Sequence, residues 1–124
     1  MILGVGIDMI EVGRVSEKID KNNGFLGKIF SKNEIIFCES RKNRVESYAA
    51  RFAAKEAFLK ATGFGLGLGY ELSEIEVVND DRGKPELKLT GEFKVMSQQY
   101  NWNKIHLSIS HLKDIACAVV ILEK

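Results

Sequence analysis

The sequence is short of most features that mark a specialised class of protein. It has 2 cysteines in 124 residues, with no C-x-x-C pair and no Cys/His cluster, so neither a zinc site nor a disulfide is predicted. Its net charge is only +1, whereas nucleic-acid binding usually needs a clearly basic surface. The longest apolar runs, such as Ile115–Leu122, are too short to cross a bilayer, and no positively charged leader opens the chain. We therefore expect a cytoplasmic protein that binds neither nucleic acid nor membrane.

The composition that remains is that of an ordinary globular protein. Hydrophobic residues make up 45% of the chain and charged residues 28%. A length of 124 residues is enough for one modest hydrophobic core. No repeat or interdomain linker interrupts it, so residues 1–124 are predicted to form a single domain.

The first half of the chain predicts one strand and three helices. Ile2–Val12 is apolar and β-branched and predicts a buried strand whose glycines allow close backbone approach. A helical pattern follows, and Ser31–Glu34 then fits a capping box that opens a second, short helix. Asn43–Glu46 fits another capping box at the start of the longest helix, Arg44–Thr62. Gly63 follows as its C-cap.

The second half changes to a pattern of strands. Glu74–Val78 and Glu86–Leu89 alternate apolar and polar residues around a turn and predict a hairpin. Gly91–Tyr100 predicts a short helix, and Ile105–Ile109 and Ile115–Leu122 predict two more strands. The resulting order predicts the α+β class, with a mainly antiparallel sheet packed against the long helix. The first strand is too distant in sequence for its neighbours to be predicted.

Glu56 is a carboxylate within the apolar stripe of the longest helix. It lies four residues after Phe52 and three before Leu59, both members of that stripe. A carboxylate that faces a core costs several kcal/mol unless it is paired, protonated or metal-bound. An i,i+4 pair with Lys60 is the ordinary explanation, and helical spacing alone slightly favours it. Two cations beside the stripe are predicted to be solvated: Arg51 and Lys55.

Asp8 is a second carboxylate in apolar surroundings, because it follows the apolar run 2–7 and precedes Met9 and Ile10. Aspartate is disfavoured in strands, so a specific partner is expected. Capping of a nearby amide and a salt bridge to Arg14 are two ordinary explanations. Two carboxylates without Cys or His neighbours also suit Mg²⁺, which takes one or two protein carboxylates, water and a substrate phosphate.

Alternating glycines follow the long helix at positions 63, 65, 67 and 69. A phosphate-binding loop is rejected, because such loops lead into helix N-termini whereas this segment follows a helix C-terminus. The segment also has neither G-K-[ST] nor the G-x-G-x-x-G spacing. A loop that permits close approach is predicted instead.

The strand His106–His111 places His106, Ser108 and Ser110 on one face and His111 on the other. A serine nucleophile with a histidine base is conceivable. However, the sequence lacks the G-x-S-x-G nucleophile elbow. Structural or ligand-contacting roles are therefore favoured for these residues.

Four segments spread along the chain form a recognisable set. They are GVGID at 4–8, RFAAKEAFLKA at 51–61, GKP at 83–85 and HLSISH at 106–111. Each is weak alone, but the F-x-x-K-E-A-x-x-K helix together with the Asp8 strand is highly specific. In order, length and coverage, the chain resembles the short bacterial holo-acyl-carrier-protein synthase family of phosphopantetheinyl transferases.

The resemblance implies a fold, a reaction and an assembly. The fold would be that of 4′-phosphopantetheinyl transferases, and the reaction would move the 4′-phosphopantetheine arm of coenzyme A to a serine of acyl carrier protein, releasing 3′,5′-ADP. Asp8 and Glu56 would hold Mg²⁺ against the pyrophosphate. Lys60 would reach a phosphate or the attacking serine, with Glu56 or a water on the ion taking the proton. The protein would be a homotrimer with active sites between subunits.

The resemblance also implies two further groups of binding residues. Residues expected around the nucleotide end of coenzyme A are Lys60, Gly63, Gly65, Lys84, Pro85, Ser110 and His111. Residues expected to contact the carrier protein are Arg14, Lys18, Lys21, Phe25 and Lys28. The family's carrier-binding segment is typically arginine-rich, but here Glu17 and Asp20 dilute its positive charge, so we expect weaker and salt-sensitive attraction of an acidic partner.

Two other functions remain open at this stage. One is a non-catalytic trimeric module of the same fold that binds coenzyme A or a carrier protein. The other is a Mg²⁺-dependent phosphohydrolase. The presence of Asp8, Glu56 and Lys60 together favours the transferase, because a non-enzyme has no need of carboxylates on apolar faces.

Overall fold

The computed structural model describes residues 1–21, 24–65 and 71–124. The described residues form five helices and five strands in an α+β arrangement, which confirms the predicted class. They are β1 (Ile2–Glu11), α1 (Val12–Asp20), α2 (Phe25–Ile29), α3 (Lys32–Glu39), α4 (Arg44–Thr62), β2 (Ile75–Asn79), β3 (Pro85–Leu89), α5 (Gly91–Gln99), β4 (Lys104–His111) and β5 (Ile115–Glu123). A short 3-10 turn, Leu72–Glu74, precedes β2.

The strand pairs of the described residues are antiparallel, in agreement with the predicted mainly antiparallel sheet. One sheet has the order β1-β5-β4, and β2 and β3 form a separate hairpin. The unpredicted neighbour of β1 is β5, with Asp8 opposite Ala118. The chain therefore brings its first strand beside its last one, and Asp8 lies in the middle of a paired strand.

Helix α4 packs directly on β1 because β1 presents glycines to it. A Cβ atom on Gly6 would lie 2.0 Å from the carbonyl oxygen of Ala57, and one on Gly4 would lie 1.9 Å from that of Ala61. Only glycine permits this approach of strand and helix backbones. Since alternate residues of a strand share a face, Asp8 also points towards α4.

The predicted bounds of α4 are confirmed, but its expected N-cap is wrong. The helix runs from Arg44 to Thr62 and ends at Gly63, which has a φ of +79°. Asn43 makes no side-chain capping bond, so no capping box forms there. The box at Ser31 and Glu34 is confirmed, with both reciprocal bonds present.

The expected solvation of Arg51 and Lys55 is also wrong. Lys55 is fully buried and Arg51 is only 6% exposed. Helix α4 is covered on several sides, by the main sheet, α1, α3 and β2. A single apolar stripe therefore does not describe it, and its many alanines reflect packing all round.

The prediction that β1 is a buried strand holds for one face only. On the face turned away from α4, Val5, Ile7 and Met9 are 58–66% exposed. Their neighbours across the ladder are Ile121, Val119 and Cys117 of β5. This outer sheet face is thus an exposed apolar surface of a kind that marks interaction sites. None of the helices in the described parts of the chain is long and apolar enough to cross a membrane.

The contact between β1 and α4 yields a stability prediction. Gly6→Ala should lower the free energy of unfolding by several kcal/mol, because the new methyl group meets backbone atoms that cannot move away. Gly13→Ala in α1 is the matched control, since a Cβ there meets nothing within 4 Å. The control should be neutral or stabilise by up to about 1 kcal/mol. Urea unfolding followed by circular dichroism measures both, and equal effects of the two changes would contradict the packing described here.

Candidate active site

Asp8 and Glu56 lie close together where β1 crosses α4. Asp8 is carried by the helix-facing side of the strand, and Glu56 precedes Ala57, whose carbonyl contacts Gly6. Burial raises the pKa of Glu56, and the negative charge of Asp8 raises it further. The two carboxylates therefore repel each other in a partly desolvated place, which is unfavourable unless cations balance them.

Lys60 supplies one of these cations. Its ammonium lies 3.0 Å from Oδ1 of Asp8 and donates a second bond, of 3.1 Å, to the carbonyl of Ile7. The alternative bridge from Asp8 to Arg14 is wrong, since Arg14 lies 3.7 Å from Glu11 instead. A direct i,i+4 ion pair of Lys60 with Glu56 does not form either, as Lys60 contacts Asp8. Lys60 remains more than half exposed, so this pair contributes little to stability.

Lys18 supplies a second positive charge from α1. Its ammonium lies 5.7 Å from the ring centre of Phe25 and 5.4 Å from that of Phe52. Its charge also lowers the pKa of Glu56. Lys18, expected to contact a carrier protein, is thus close to Glu56, and Phe25, expected to contact the same partner, lies beside Lys18. The other expected basic residues lie on the exposed surface of the same region: Arg14, Lys21 and Lys28.

The glycine segment begins directly at the end of α4. The hydroxyl of Thr62 donates to the carbonyl of Leu59 and accepts from the amide of Phe64, so the chain leaves the helix in a fixed direction. Gly63 and Gly65 follow the C-terminus of α4. This position agrees with the earlier argument against a phosphate-binding loop, which would lead into a helix N-terminus. Positions 67 and 69 lie outside the described residues.

Three of the remaining residues expected at coenzyme A line two cavities elsewhere in the structure. Lys84 and Pro85 line a groove of about 740 Å³ between β3 and β4. His111 lines a cavity of about 330 Å³ beside residues 40–43, with its Nδ1 3.8 Å from Glu46. Ser110, the neighbour of His111, is exposed opposite Cys117. Neither cavity is lined by Asp8, Glu56 or Lys60. Within one copy of the chain, these two cavities are therefore separate from the carboxylates.

The sequence did not predict the buried polar contacts that Arg51 and Lys55 of α4 make with neighbouring elements. The ammonium of Lys55 donates to Glu34 at 2.7 Å, and a guanidinium nitrogen of Arg51 donates to Asn79 at 3.0 Å. The Arg51 guanidinium also lies 4.1 Å from the ring centre of Phe37. Helical spacing could not find these contacts, because their partners come from α3 and β2. The alanine-rich composition of α4 was the one available signal that it is buried all round.

A divalent cation fits the chemistry of the two carboxylates. Asp8 and Glu56 offer oxygen ligands, and a cation would relieve the repulsion that raises the pKa of Glu56. In the described parts of the chain, no group of three or more His, Cys, Asp or Glu residues could hold a metal ion. The protein could thus supply two ligands. This number suits an ion such as Mg²⁺, whose other coordination positions would be filled by substrate phosphates and water.

Comparisons with known proteins identify a family over nearly the whole chain. Residues 4–120 match the model of the 4′-phosphopantetheinyl transferase superfamily. A holo-[acyl-carrier-protein] synthase of Clostridium kluyveri is 46% identical over 123 residues, covering 99% of this chain and 91% of the relative. A crystal structure of a holo-(acyl-carrier-protein) synthase from Bacillus anthracis, in complex with CoA (3',5'-ADP), matches with a TM-score of 0.81 and 42% identity, covering 98% and 96% of the two chains. The synthase of Neisseria meningitidis matches with a TM-score of 0.92 and 31% identity over the full length of both chains.

The repulsion between Asp8 and Glu56 predicts that the ionised carboxylate of Glu56 lowers the stability of the folded protein. Glu56→Gln should raise the thermal unfolding midpoint at pH 7 in the presence of EDTA. The raised pKa means that folding disfavours the ionised form, so the advantage of Gln should shrink as the pH falls and Glu56 becomes protonated. Glu17→Gln, an exposed position on α1, is the control and should leave the midpoint unchanged. Calorimetry measures both, and a midpoint lowered by Glu56→Gln would contradict the repulsion.

Proposed function

The chain belongs to the 4′-phosphopantetheinyl transferase superfamily, and we propose that it transfers the 4′-phosphopantetheine group of coenzyme A to a serine of apo acyl carrier protein. The products are holo-carrier and 3′,5′-ADP. The observation that carries the proposal is the convergence of Asp8, Glu56 and Lys60 at the crossing of β1 and α4. It occurs in a chain that matches holo-acyl-carrier-protein synthases over 99–100% of its length.

The reaction exchanges one phosphorus–oxygen bond for another. The serine oxygen forms a bond to the phosphorus that bears pantetheine. The bond from that phosphorus to the bridging oxygen breaks, and 3′,5′-ADP leaves with the electron pair. We propose that the serine proton passes to Glu56 or to a water molecule beside it.

We propose Mg²⁺ as the cofactor, held by Asp8 and Glu56. When bound, the ion would neutralise negative charge on the pyrophosphate as the bond breaks. Asp8 lies on a paired strand and Glu56 on the longest helix, so both carboxylates are held by rigid elements. Lys60 lies beside them and remains largely exposed. We therefore assign it to a phosphate oxygen of coenzyme A, to which its flexible ammonium can turn from Asp8.

The nucleotide end of coenzyme A is assigned to Gly63, Gly65, Lys84, Pro85, Ser110 and His111. Since Lys84, Pro85 and His111 line cavities apart from Asp8 and Glu56, we propose that different copies of the chain complete one site. A homotrimer with interfacial active sites meets this need. The exposed apolar side chains of Val5, Ile7 and Met9 offer a surface for the assembly.

We propose that the carrier protein binds to the surface formed by α1 and α2. Lys18 lies close to Glu56 and Phe25 lies beside Lys18, so we propose that a carrier bound there would present its serine close to the carboxylates. Arg14, Lys21 and Lys28 add positive charge that suits an acidic partner. The free thiols of Cys38 and Cys117 agree with a cytoplasmic location, which we propose for the protein.

The transfer itself is tested by mass spectrometry. Purified protein with Mg²⁺ and coenzyme A should add one phosphopantetheine mass to apo carrier protein, and EDTA should abolish the addition. Asp8→Asn and Glu56→Gln should each reduce the rate by roughly 100-fold or more, because each removes charge needed in the transition state. Glu92→Gln, at an exposed position on α5 outside the assigned binding surfaces, should retain the wild-type rate.

Other results would favour the other functions. Coenzyme A binding without transfer to any of several apo carriers would indicate a non-catalytic module. Release of phosphate or nucleotide without an acceptor would indicate a phosphohydrolase. A wild-type rate for Glu56→Gln would contradict the role of that carboxylate.

The proposed assembly is tested on the outer sheet face. Wild-type protein should sediment as three copies, and Ile7→Lys should sediment as a monomer with little transfer activity, because it places a charge in an apolar interface. Val95→Lys on α5 is the matched control, since Val95 is 56% exposed and Ile7 is 58% exposed. The control should remain a trimer. A fully active wild-type monomer would contradict the interfacial site.

A further inference from the structure

The hairpin of β2 and β3 carries two of the residues assigned to the nucleotide end of coenzyme A, Lys84 and Pro85. In the described parts of the chain, this hairpin forms a two-stranded sheet of its own beside the main sheet. Asn79, the last residue of β2, lies opposite Pro85, the first residue of β3. The position of Lys84 and Pro85 therefore depends on what holds this end of the hairpin against the rest of the chain.

The turn between the two strands, residues 80–84, is ordered by its own hydrogen bonds. The amide of Asp80 donates to the carbonyl of Lys84 at 2.8 Å, and the amide of Gly83 donates to the carbonyl of Asp80 at 2.9 Å. Oδ1 of Asp80 accepts from the amides of Arg82 and Lys84, both at 2.8 Å. These bonds set the shape of the turn. They do not set its position relative to the helices, because each of them joins two residues of the turn itself.

Asn79 links this turn to helix α4. Its Nδ2 donates to the carbonyl of Gly83 at 3.2 Å, and its Oδ1 accepts from Nη2 of Arg51 at 3.0 Å. A guanidinium only donates and a carbonyl only accepts, so the two partners require this orientation of the amide. One side chain thus connects the turn that carries Lys84 with the helix that carries Glu56.

Arg51 holds a fixed place on α4, five residues before Glu56. It is only 6% exposed, and its guanidinium lies 4.1 Å from the ring centre of Phe37 in α3. Among the described residues, its buried Nε has no hydrogen-bond partner. A buried charged group that is incompletely satisfied makes each remaining bond more important. The bond to Asn79 therefore starts from a well-defined point on the helix.

We propose that Asn79 is a positioning residue for coenzyme A, which holds the turn that carries Lys84 and Pro85 at a fixed place relative to Arg51 of α4. This proposal rests on the proposed function. Asn79 acts through Lys84 and Pro85, and the groove that these residues line is not lined by Glu56 or Lys60. Loss of its amide should therefore weaken binding of the nucleotide more than it slows the chemical step.

The first test removes the amide with Asn79→Ala. The Kd for 3′,5′-ADP, measured by titration calorimetry, and the KM for coenzyme A should both rise about fivefold. The kcat at saturating coenzyme A and the KM for the carrier should change less than about twofold. Gln98→Ala is the matched control, because it removes a side-chain amide from an exposed position on α5. The control should leave all four quantities unchanged.

The second test asks whether Asn79 acts through Lys84. In a Lys84→Ala background, Asn79→Ala should raise the Kd for 3′,5′-ADP less than about twofold, because the side chain that it positions is already missing. A fivefold effect in both backgrounds would overturn the proposal, since Asn79 would then act independently of Lys84.

If Asn79→Ala does not fold, Asn79→Asp decides. Aspartate keeps an acceptor for Arg51 but has no donor for the carbonyl of Gly83. Its Kd for 3′,5′-ADP should rise, and the rise should shrink in the Lys84→Ala background. An unchanged Kd would overturn the proposal. An equal rise in both backgrounds would also overturn it, because that result indicates repulsion of the nucleotide by the new charge.

The outcomes separate this proposal from the function on which it rests. Wild-type protein that neither transfers phosphopantetheine nor binds 3′,5′-ADP would overturn both. Wild-type binding with an unchanged affinity in Asn79→Ala would overturn the role of Asn79 alone. A lower kcat with an unchanged KM for coenzyme A would also overturn it, because the residue would then act on the chemical step.

Discussion

The site depends on the close approach of β1 and α4. Glycine at positions 4 and 6 lets the strand backbone touch the carbonyls of the helix, where a methyl group would come within 2.0 Å. That contact fixes both the distance and the register between the two elements. Since Asp8 follows Gly6 on the same strand face and Glu56 precedes the contact on the helix, two carboxylates are forced together. A longer spacing, as side chains would impose, would leave them apart.

Helix α4 is fixed from its other side by polar bonds. Lys55 and Glu34 join it to α3 and β2, while glycines join it to β1. The helix is thus held by apolar contact without side chains on one side and by directional bonds on the other. Consecutive residues, Lys55 and Glu56, point to these two sides because they are 100° apart around the helix. Burying the helix on both sides is what places Glu56 at a defined point on the edge of the core.

Local signals predicted most of the elements, although the capping box expected at Asn43 does not form, and contacts distant in sequence account for the other errors. The bounds of α4, the capping box at Ser31 and the hairpin depend on neighbouring residues, and the structure confirms them. The pairing of β1 with β5 and the burial of Lys55 depend on partners far along the chain, so helical or strand period could not supply them. Spacing favoured a pair between Glu56 and Lys60. The resemblance to the synthases, with its four ordered segments, gave both residues a common role instead.

The charges at the crossing of β1 and α4 compensate one another, but the ion pair of Lys60 with Asp8 is weak. Two carboxylates meet two lysines, so the site is close to neutral in the free chain. However, Lys60 is more than half exposed, and exposed pairs of this kind are worth about 0.2–1 kcal/mol. An anionic ligand can therefore draw the ammonium away from Asp8 at little cost. Once it does, the carboxylates lose part of their compensation and favour another cation more strongly. Weak pairing of Lys60 thus suits the proposed site, which would accept phosphate and a positive ion together, as a tightly buried pair such as Lys55 and Glu34 could not do.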